Sequence, residues 1–467
     1  MSNVKANPTV KVNPIAAFFK TLGNDLKEIG MTFVTGNWAT KLSFVIMGFG
    51  QFIRGQIVKG IAYLAAELLF IWYLVNTGIE YLGKLNTLGT IETMKVKRKT
   101  VYGDNSFLIL LFGILTIIII LIFILIWRLN VRENYNEENR LKAGKALPSN
   151  KKVIASLFNE NFDKTLMSLP VFGVFVFTVL PIIFMICVAF TNYDKTHQSP
   201  TNLFTWVGFD NFKQLVSFSG SGFGKTFIKV LLWTLVWAFF ATFIDYFLGI
   251  AVAMLINKKG VKFKKFWRTI LVLTIAIPQF ISLLYVSKMF AADGLINGIL
   301  LKWGWIRTAI PFWTNPALAR VTIIVINIWI GIPYLMLIAT GLLMNIPADL
   351  YESARIDGAT PWQMFRYITL PYMLFITGPF LLTQYTGNLN NFNVIYLLNG
   401  GSPLSINYAG NAGQTDLLVT WLYKLTVNET NYKMAAVLGI MVFVVTAVIA
   451  LVVYNMLPSV KDEEGFQ

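Results

Sequence analysis

The stretch SFLILLFGILTIIIILIFILIW, Ser106 to Trp127, carries no charged side chain over its whole length. A helix rises about 1.5 Å per residue, so about twenty apolar residues cross a hydrocarbon core of about 30 Å. This run is long enough to do so, and its length predicts a membrane-spanning helix. Working outward, seven further apolar segments run from about Gly60 to Ile79, Leu166 to Phe190, Phe227 to Ile256, Trp267 to Phe290, Ala319 to Met344, Pro371 to Leu397 and Ala435 to Leu457. The predicted fold is an all-α polytopic membrane protein with about eight transmembrane helices.

Composition agrees. The chain is 56% hydrophobic and 13% charged over 467 residues, against about 25% charged in soluble proteins. A formal charge of +16 raises nucleic acid as a partner, but Lys and Arg in a polytopic protein mark cytoplasmic loops. The tail before Lys41, the Arg128 to Lys164 connection and the run from Lys258 to Arg268 alternate correctly along an eight-span path. All are then inside, with both termini, and nucleic acid is not expected. The basic loop from Lys95 to Lys99 is the one conflict, since the count puts it outside. One cysteine, Cys187, and one histidine, His197, leave no disulfide pair and no His/Cys metal cluster. The polar N-terminus is unlike a cleavable signal peptide.

Ser219 to Thr226, SGSGFGKT, invites comparison with the phosphate-cradling loop of ATPases. That loop needs G-x-x-x-x-G-K-[ST] after a strand. Here the first required glycine falls on Ser219, and the octamer closes an external connection, Thr191 to about Gly222. The chain is expected to bind no ATP and to be no enzyme.

Residues 1–160 read as an accessory region with two spans. Leu42 to Lys59 is too short and polar to cross and reads as an interfacial or re-entrant helix. Asn130 to Lys152 reads as a solvated basic linker. Residues 161–467 read as a six-span core, whose longest cytoplasmic loop covers 345–371. In that loop Pro347 and Asp349 start a short helix that Gly358 can end. Thr360 caps a second, with Pro361 at its first position and Gln363 at the capping-box position. Met364, Phe365 and Ile368 form its apolar face before Pro371 starts the next span. The product is a helix-turn-helix facing the cytosol, or two amphipathic interfacial helices.

Glu352-Ser-Ala-x-x-Asp357-Gly358-Ala359, followed by Ile368-x-Leu370-Pro371, resembles the "EAA" loop of permease subunits of binding-protein-dependent ABC importers. The likeness extends over roughly Asn161 to Leu457 and is nearest to the larger, MalF-like membrane subunit of the maltose/maltodextrin importer. It implies a type I permease core of six helices in a bacterial plasma membrane, paired with a second, different permease subunit. It also implies two cytosolic ATPase subunits that hold ATP and Mg, an extracytoplasmic solute-binding protein, and a neutral oligosaccharide, maltose or maltodextrin, as cargo. Glu352, Ser353, Ala354, Asp357 and Gly358 are then the ATPase-docking positions. Two departures stand out: Ser353 replaces the motif's second alanine, and the external loop after the third span lacks a large inserted domain.

Polar groups inside spans face the bundle interior or a wet cavity. Gln384, Asn388 and Asn391 are spaced i, i+4, i+7, one face of a helix, and amides both donate and accept, as sugar hydroxyls require. They serve equally well as interhelical bonds. Gly331 and Tyr334, with Trp329 nearby, offer a close approach and an aromatic surface. The resemblance adds Ser282, Gly331, Tyr334, Gln384, Gly387, Asn388 and Asn391 as counterparts of sugar-site positions, with Gly387 where the relative has an aromatic ring. Glu67 and Asp245 read as proton-relay carboxylates of an ion-coupled transporter, or as groups that pack helices or meet a partner in another subunit. The second is favoured, since no inverted repeat accompanies them. An ion-coupled sugar transporter, a permease for another sugar or a glycerol-phosphate-type solute, and a scaffold that moves no solute are the rival readings.

Overall fold

The computed structural model describes residues 14–96, 99–217, 222–258 and 260–457. Among them, seven helices are long and apolar enough to cross a membrane: Ile57–Leu85, Ser106–Lys142, Phe162–Val188, Phe223–Asn257, Pro316–Leu343, Pro361–Asn399 and Tyr432–Met456. The pair Lys264–Ala276 and Gln279–Met289, bent by 93°, is long and apolar enough only as a unit, a broken span or a re-entrant loop, and stands fifth in chain order among eight candidate spans. The sequence reads there as one straight span. Pro278 has no N–H and disfavours a helical residue before it, and Ile277 is accordingly extended (φ −82°, ψ 127°).

The contacts divide the chain into two compact units, residues 1–185 with 198–205, and residues 186–197 with 206–467. In the first, Leu42 to Lys59 is not the one interfacial helix expected: the first span already begins at Ile57, and before it lie two short helices, Trp38–Leu42 and Phe49–Ile53. They are pinned by side chains of the first two spans. Glu67 accepts the Met47 N–H at 2.8 Å, which gives this intramembrane carboxylate a packing role. The linker expected to be solvated from Asn130 is instead helical to Lys142, and Asn130, Asn134, Glu137 and Glu138 on it are buried. A solvated face would leave Arg54 unpaired. Here Arg54 donates to Asn134 Oδ1 at 2.8 Å, and Glu138 accepts from the Thr40 hydroxyl at 2.6 Å. Met94–Val96 and Lys99–Val101 pair as a small antiparallel hairpin at the basic loop, the one sheet among the described residues.

In the second unit the spans carry exposed apolar side chains, such as Phe443 and Leu451, as lipid-facing helices do. Lipid is as apolar as leucine, so close packing, rather than exclusion of water, holds such helices together. A core of Trp233, Trp237, Leu283, Ile323, Ile326, Leu389, Val394 and Leu398 knits the fourth to seventh spans. The fourth and sixth approach closely at Gly331, where a Cβ would strike the Asp245 carboxylate. Several spans contain a single π-turn, among them Phe240–Ile244 in the fourth and Phe365–Thr369 in the seventh. Each π-turn spends one extra residue without ending the helix.

Candidate functional site

The π-turn of the fourth span, the break of the fifth and the middle of the sixth and seventh surround a cavity of about 410 Å³. Thr242 and Asp245 come from the fourth span, Pro278, Gln279 and Ser282 from the fifth, Asn327, Trp329, Gly331 and Tyr334 from the sixth, and Gln384, Asn388 and Asn391 from the seventh. Six of the seven residues singled out in the sequence thus share one cavity. The seventh, Gly387, is not on its wall; it is exposed, and a Cβ there would meet nothing within 4 Å.

Two details differ from the sequence reading. Asn391 does not continue the helical face of Gln384 and Asn388, because that helix stops at Leu389. Its side chain caps the next helix, Phe392–Asn399, by accepting the Val394 N–H at 3.2 Å. The break still turns Asn391 to the same cavity. Asn388 is also largely committed. Its Nδ2 donates to Thr242 Oγ1 at 3.0 Å and to the Ala241 carbonyl at 3.2 Å, and its Oδ1 accepts from Asn391 at 3.3 Å. The half-buried Gln384 and Ser282, and the Tyr334 hydroxyl, keep their hydrogen-bonding capacity free among the described residues.

The sequence singled out neither Thr242, Gln279 nor Asn327 for this wall. Asn327 was within reach, since Asn327, Gly331 and Tyr334 repeat the i, i+4, i+7 spacing noticed in the seventh span. Among the described residues no lysine or arginine lines the cavity, and Asp245 is the one charged type there. Amides, hydroxyls and the Trp329 and Tyr334 rings can bind a polar, uncharged solute by many modest hydrogen bonds and face contacts.

The loop 345–371 folds as the helix-turn-helix expected. Ala348–Ile356 is a helix, Gly358 follows at φ +79°, and Thr360 and Gln363 close a capping box. A side chain at Gly358 would be strained at that positive φ. Glu352, Ser353, Asp357 and Gly358 are exposed and Ala354 is half-buried. Beside them Ile356, Trp362 and Tyr367 stand open, with Ile356 86% exposed. The second helix does not end before Pro371. It runs through the π-turn into Leu370–Leu389, so the loop is rigidly continuous with a wall of the cavity.

A match to the family described as "Binding-protein-dependent transport system inner membrane component" covers residues 245–462. The galactooligosaccharides transport system permease protein GanP of Bacillus subtilis is 36% identical over 90% of this chain and 97% of that protein. The chain belongs to this permease family. The maltodextrin transport system permease protein MalC of Streptococcus pneumoniae is 34% identical to this permease over 90% of the chain and 96% of that protein. The maltose/maltodextrin transport system permease protein MalF of Escherichia coli is 33% identical over 56% of the chain and 51% of that protein. Among solved structures, a bacterial alginate ABC transporter in complex with an alginate pentasaccharide-bound periplasmic protein covers 64% of the permease and 94% of that chain. Its identity is 27% and its TM-score 0.51.

The permease is a multi-pass membrane protein. Of its SGSGFGKT octamer, Ser219, Gly220 and Ser221 lie outside the described residues. Phe223, Gly224 and Thr226 are buried in the first turn of the fourth span, and the element before them is the helix Asp210–Val216. A phosphate loop needs a strand at that place.

Proposed function

We propose that this permease carries a neutral oligosaccharide, maltodextrin being the first candidate, into a bacterial cell as one membrane subunit of an ATP-driven importer. A second, different permease subunit pairs with it. Two cytosolic ATPase subunits, which hold ATP and Mg, dock on the loop around Glu352, Ser353, Ala354, Asp357 and Gly358. An extracytoplasmic solute-binding protein delivers the cargo, and both termini lie in the cytoplasm.

The observation that carries this reading is the near full-length likeness to permeases named for galactooligosaccharides and maltodextrin. The cavity supports it, since Ser282, Gly331, Tyr334, Gln384, Asn388 and Asn391 line a space without a basic group. An anionic cargo such as a glycerol phosphate calls for lysine or arginine. The exposed carboxylate of Glu352 beside Ile356 and Trp362 supports the docking surface, since polar and apolar groups side by side are what a protein partner covers.

The test is to purify the chain with its co-expressed partner subunits, reconstitute the complex with its binding protein in liposomes, and screen sugars for ATPase stimulation and uptake. Stimulation by maltodextrins or other neutral oligosaccharides is expected. Uptake that needs no ATP and follows an ion gradient, or a response confined to acidic sugars, would overturn the reading.

A further inference from the structure

The cavity wall holds a group that neither the spacing of the amides nor the packing of the helices accounts for. Asp245 follows directly on the π-turn Phe240–Ile244 and is 3% exposed. One carboxylate oxygen, Oδ2, accepts from Asn327 Nδ2 at 3.0 Å. The other, Oδ1, is buried and has no hydrogen-bond partner in the protein. Across from it the sixth span presents Gly331, whose missing side chain makes room for the carboxylate. Thr242, Asn327 and Asn388, which share this wall, are uncharged.

Helix packing explains Oδ2 and leaves Oδ1 unexplained. A buried acceptor without a donor is costly, and Asn388 on the same wall does not supply one, since it gives both its amide bonds to the fourth span. A solute rich in hydroxyls brings donors and acceptors of its own and can pair with Oδ1.

We propose that Asp245 is a direct ligand of the transported solute, taking a sugar hydroxyl on Oδ1 while Asn327 fixes its orientation through Oδ2. Because the inference rests on the oligosaccharide reading above, it also ranks the wall. Asp245 supplies an unpaired carboxyl oxygen, Gln384 a free amide, and Asn388 mainly holds the wall in shape.

The experiment uses the reconstituted complex and a set of maltotriose analogues, each lacking one hydroxyl. Wild-type protein should transport at least one analogue with a roughly tenfold poorer apparent affinity than maltotriose, the cost of one lost bond in a closed site. Asp245→Asn, which keeps the shape and removes an acceptor, should weaken maltotriose by a similar factor and erase that difference, with the melting temperature of the complex kept. Gly331→Ala, whose methyl displaces the carboxylate, should erase it as well and serves as the second readout if Asp245→Asn fails to assemble. If either assembled variant discriminates among the analogues as wild type does, Asp245 is a packing group and the inference is overturned. If wild type transports no neutral sugar at all, the oligosaccharide reading falls, and this inference with it.

Discussion

The side-chain amide of Asn388 donates to the hydroxyl of Thr242 at 3.0 Å, joining the seventh span to the π-turn of the fourth. An amide bonded in this way stabilises the wall more than it recognises cargo. Asn388→Leu removes this interhelical bond and the one to the Ala241 carbonyl, along with the bond that Asn391 gives to its Oδ1. At about 0.6 kcal/mol for an average interhelical bond in a membrane, the loss of the first two is about 1 kcal/mol. The expected result is a lower melting temperature and yield, with sugar preference retained. Gln384→Leu should do the reverse, keeping thermal stability and weakening uptake roughly tenfold. Melting curves and uptake normalised to assembled complex separate the two.

Gly387→Phe checks the boundary of the cavity. A Cβ there meets nothing within 4 Å and Gly387 is not among the lining residues, so a ring there should leave the preference for oligosaccharide length unchanged. Tyr334→Ala removes a ring from the wall itself and should reduce uptake of every length. A ladder of maltodextrins compared across both variants tests this. Selective loss of long sugars in Gly387→Phe would place that residue in the path after all.

The loop should transmit ATP hydrolysis to the cavity wall. Gly358→Val forces a β-branched residue into φ +79°, and Glu352→Lys reverses an exposed charge that a docking partner would meet. Both variants should insert into the membrane and bind lipid normally, yet lose sugar-stimulated ATPase activity several-fold. Wild-type coupling in both would falsify the docking assignment.

Acid should loosen the N-terminal end of the eighth span. Burial raises the Asp194 carboxyl, but hydrogen bonds from Lys433, Thr196 and His197 outweigh it and hold the group well below the usual carboxylate range. A depressed folded value means the stabilisation is complete above the unfolded pKa of about 3.9 and is lost as pH falls from there through the folded value. Melting temperatures between pH 6 and pH 3 should therefore drop more steeply for wild type than for Asp194→Asn below about pH 4. Parallel curves would show that this carboxylate contributes nothing to the end of the span.

Much of this was legible in the chain. Span positions follow from apolar length, and the helix-turn-helix follows from Pro347, Gly358, Thr360 and Pro361, whose local preferences agree with the final backbone. What was hidden is what depends on partners far along the chain. The bend of the fifth span was signalled by Pro278 but masked by unbroken apolarity on both sides. Asn391 matched a helical period across a break that periodicity cannot see. The Asn130 to Lys142 segment looks like a solvated linker by composition, and only Arg54 and Thr40, some eighty to one hundred residues earlier, reveal why its amides and carboxylates are buried. Asp245 was noticed as an intramembrane charge, but its place in the cavity wall depends on Gly331 opposite.

The π-turns carry a consequence for how such spans tolerate change in length. Deleting a residue from an ordinary helix rotates everything beyond it by about 100°, which would turn an entire lipid-facing stripe into the bundle. A π-turn already holds one residue in excess of the regular ladder. Removing one from Phe240–Ile244 would let the regular four-residue bonding close over the gap, with Asp245 and the rest of the fourth span still in phase. These five-residue turns are thus the points at which a spanning helix can lose a single codon without scrambling the faces on either side.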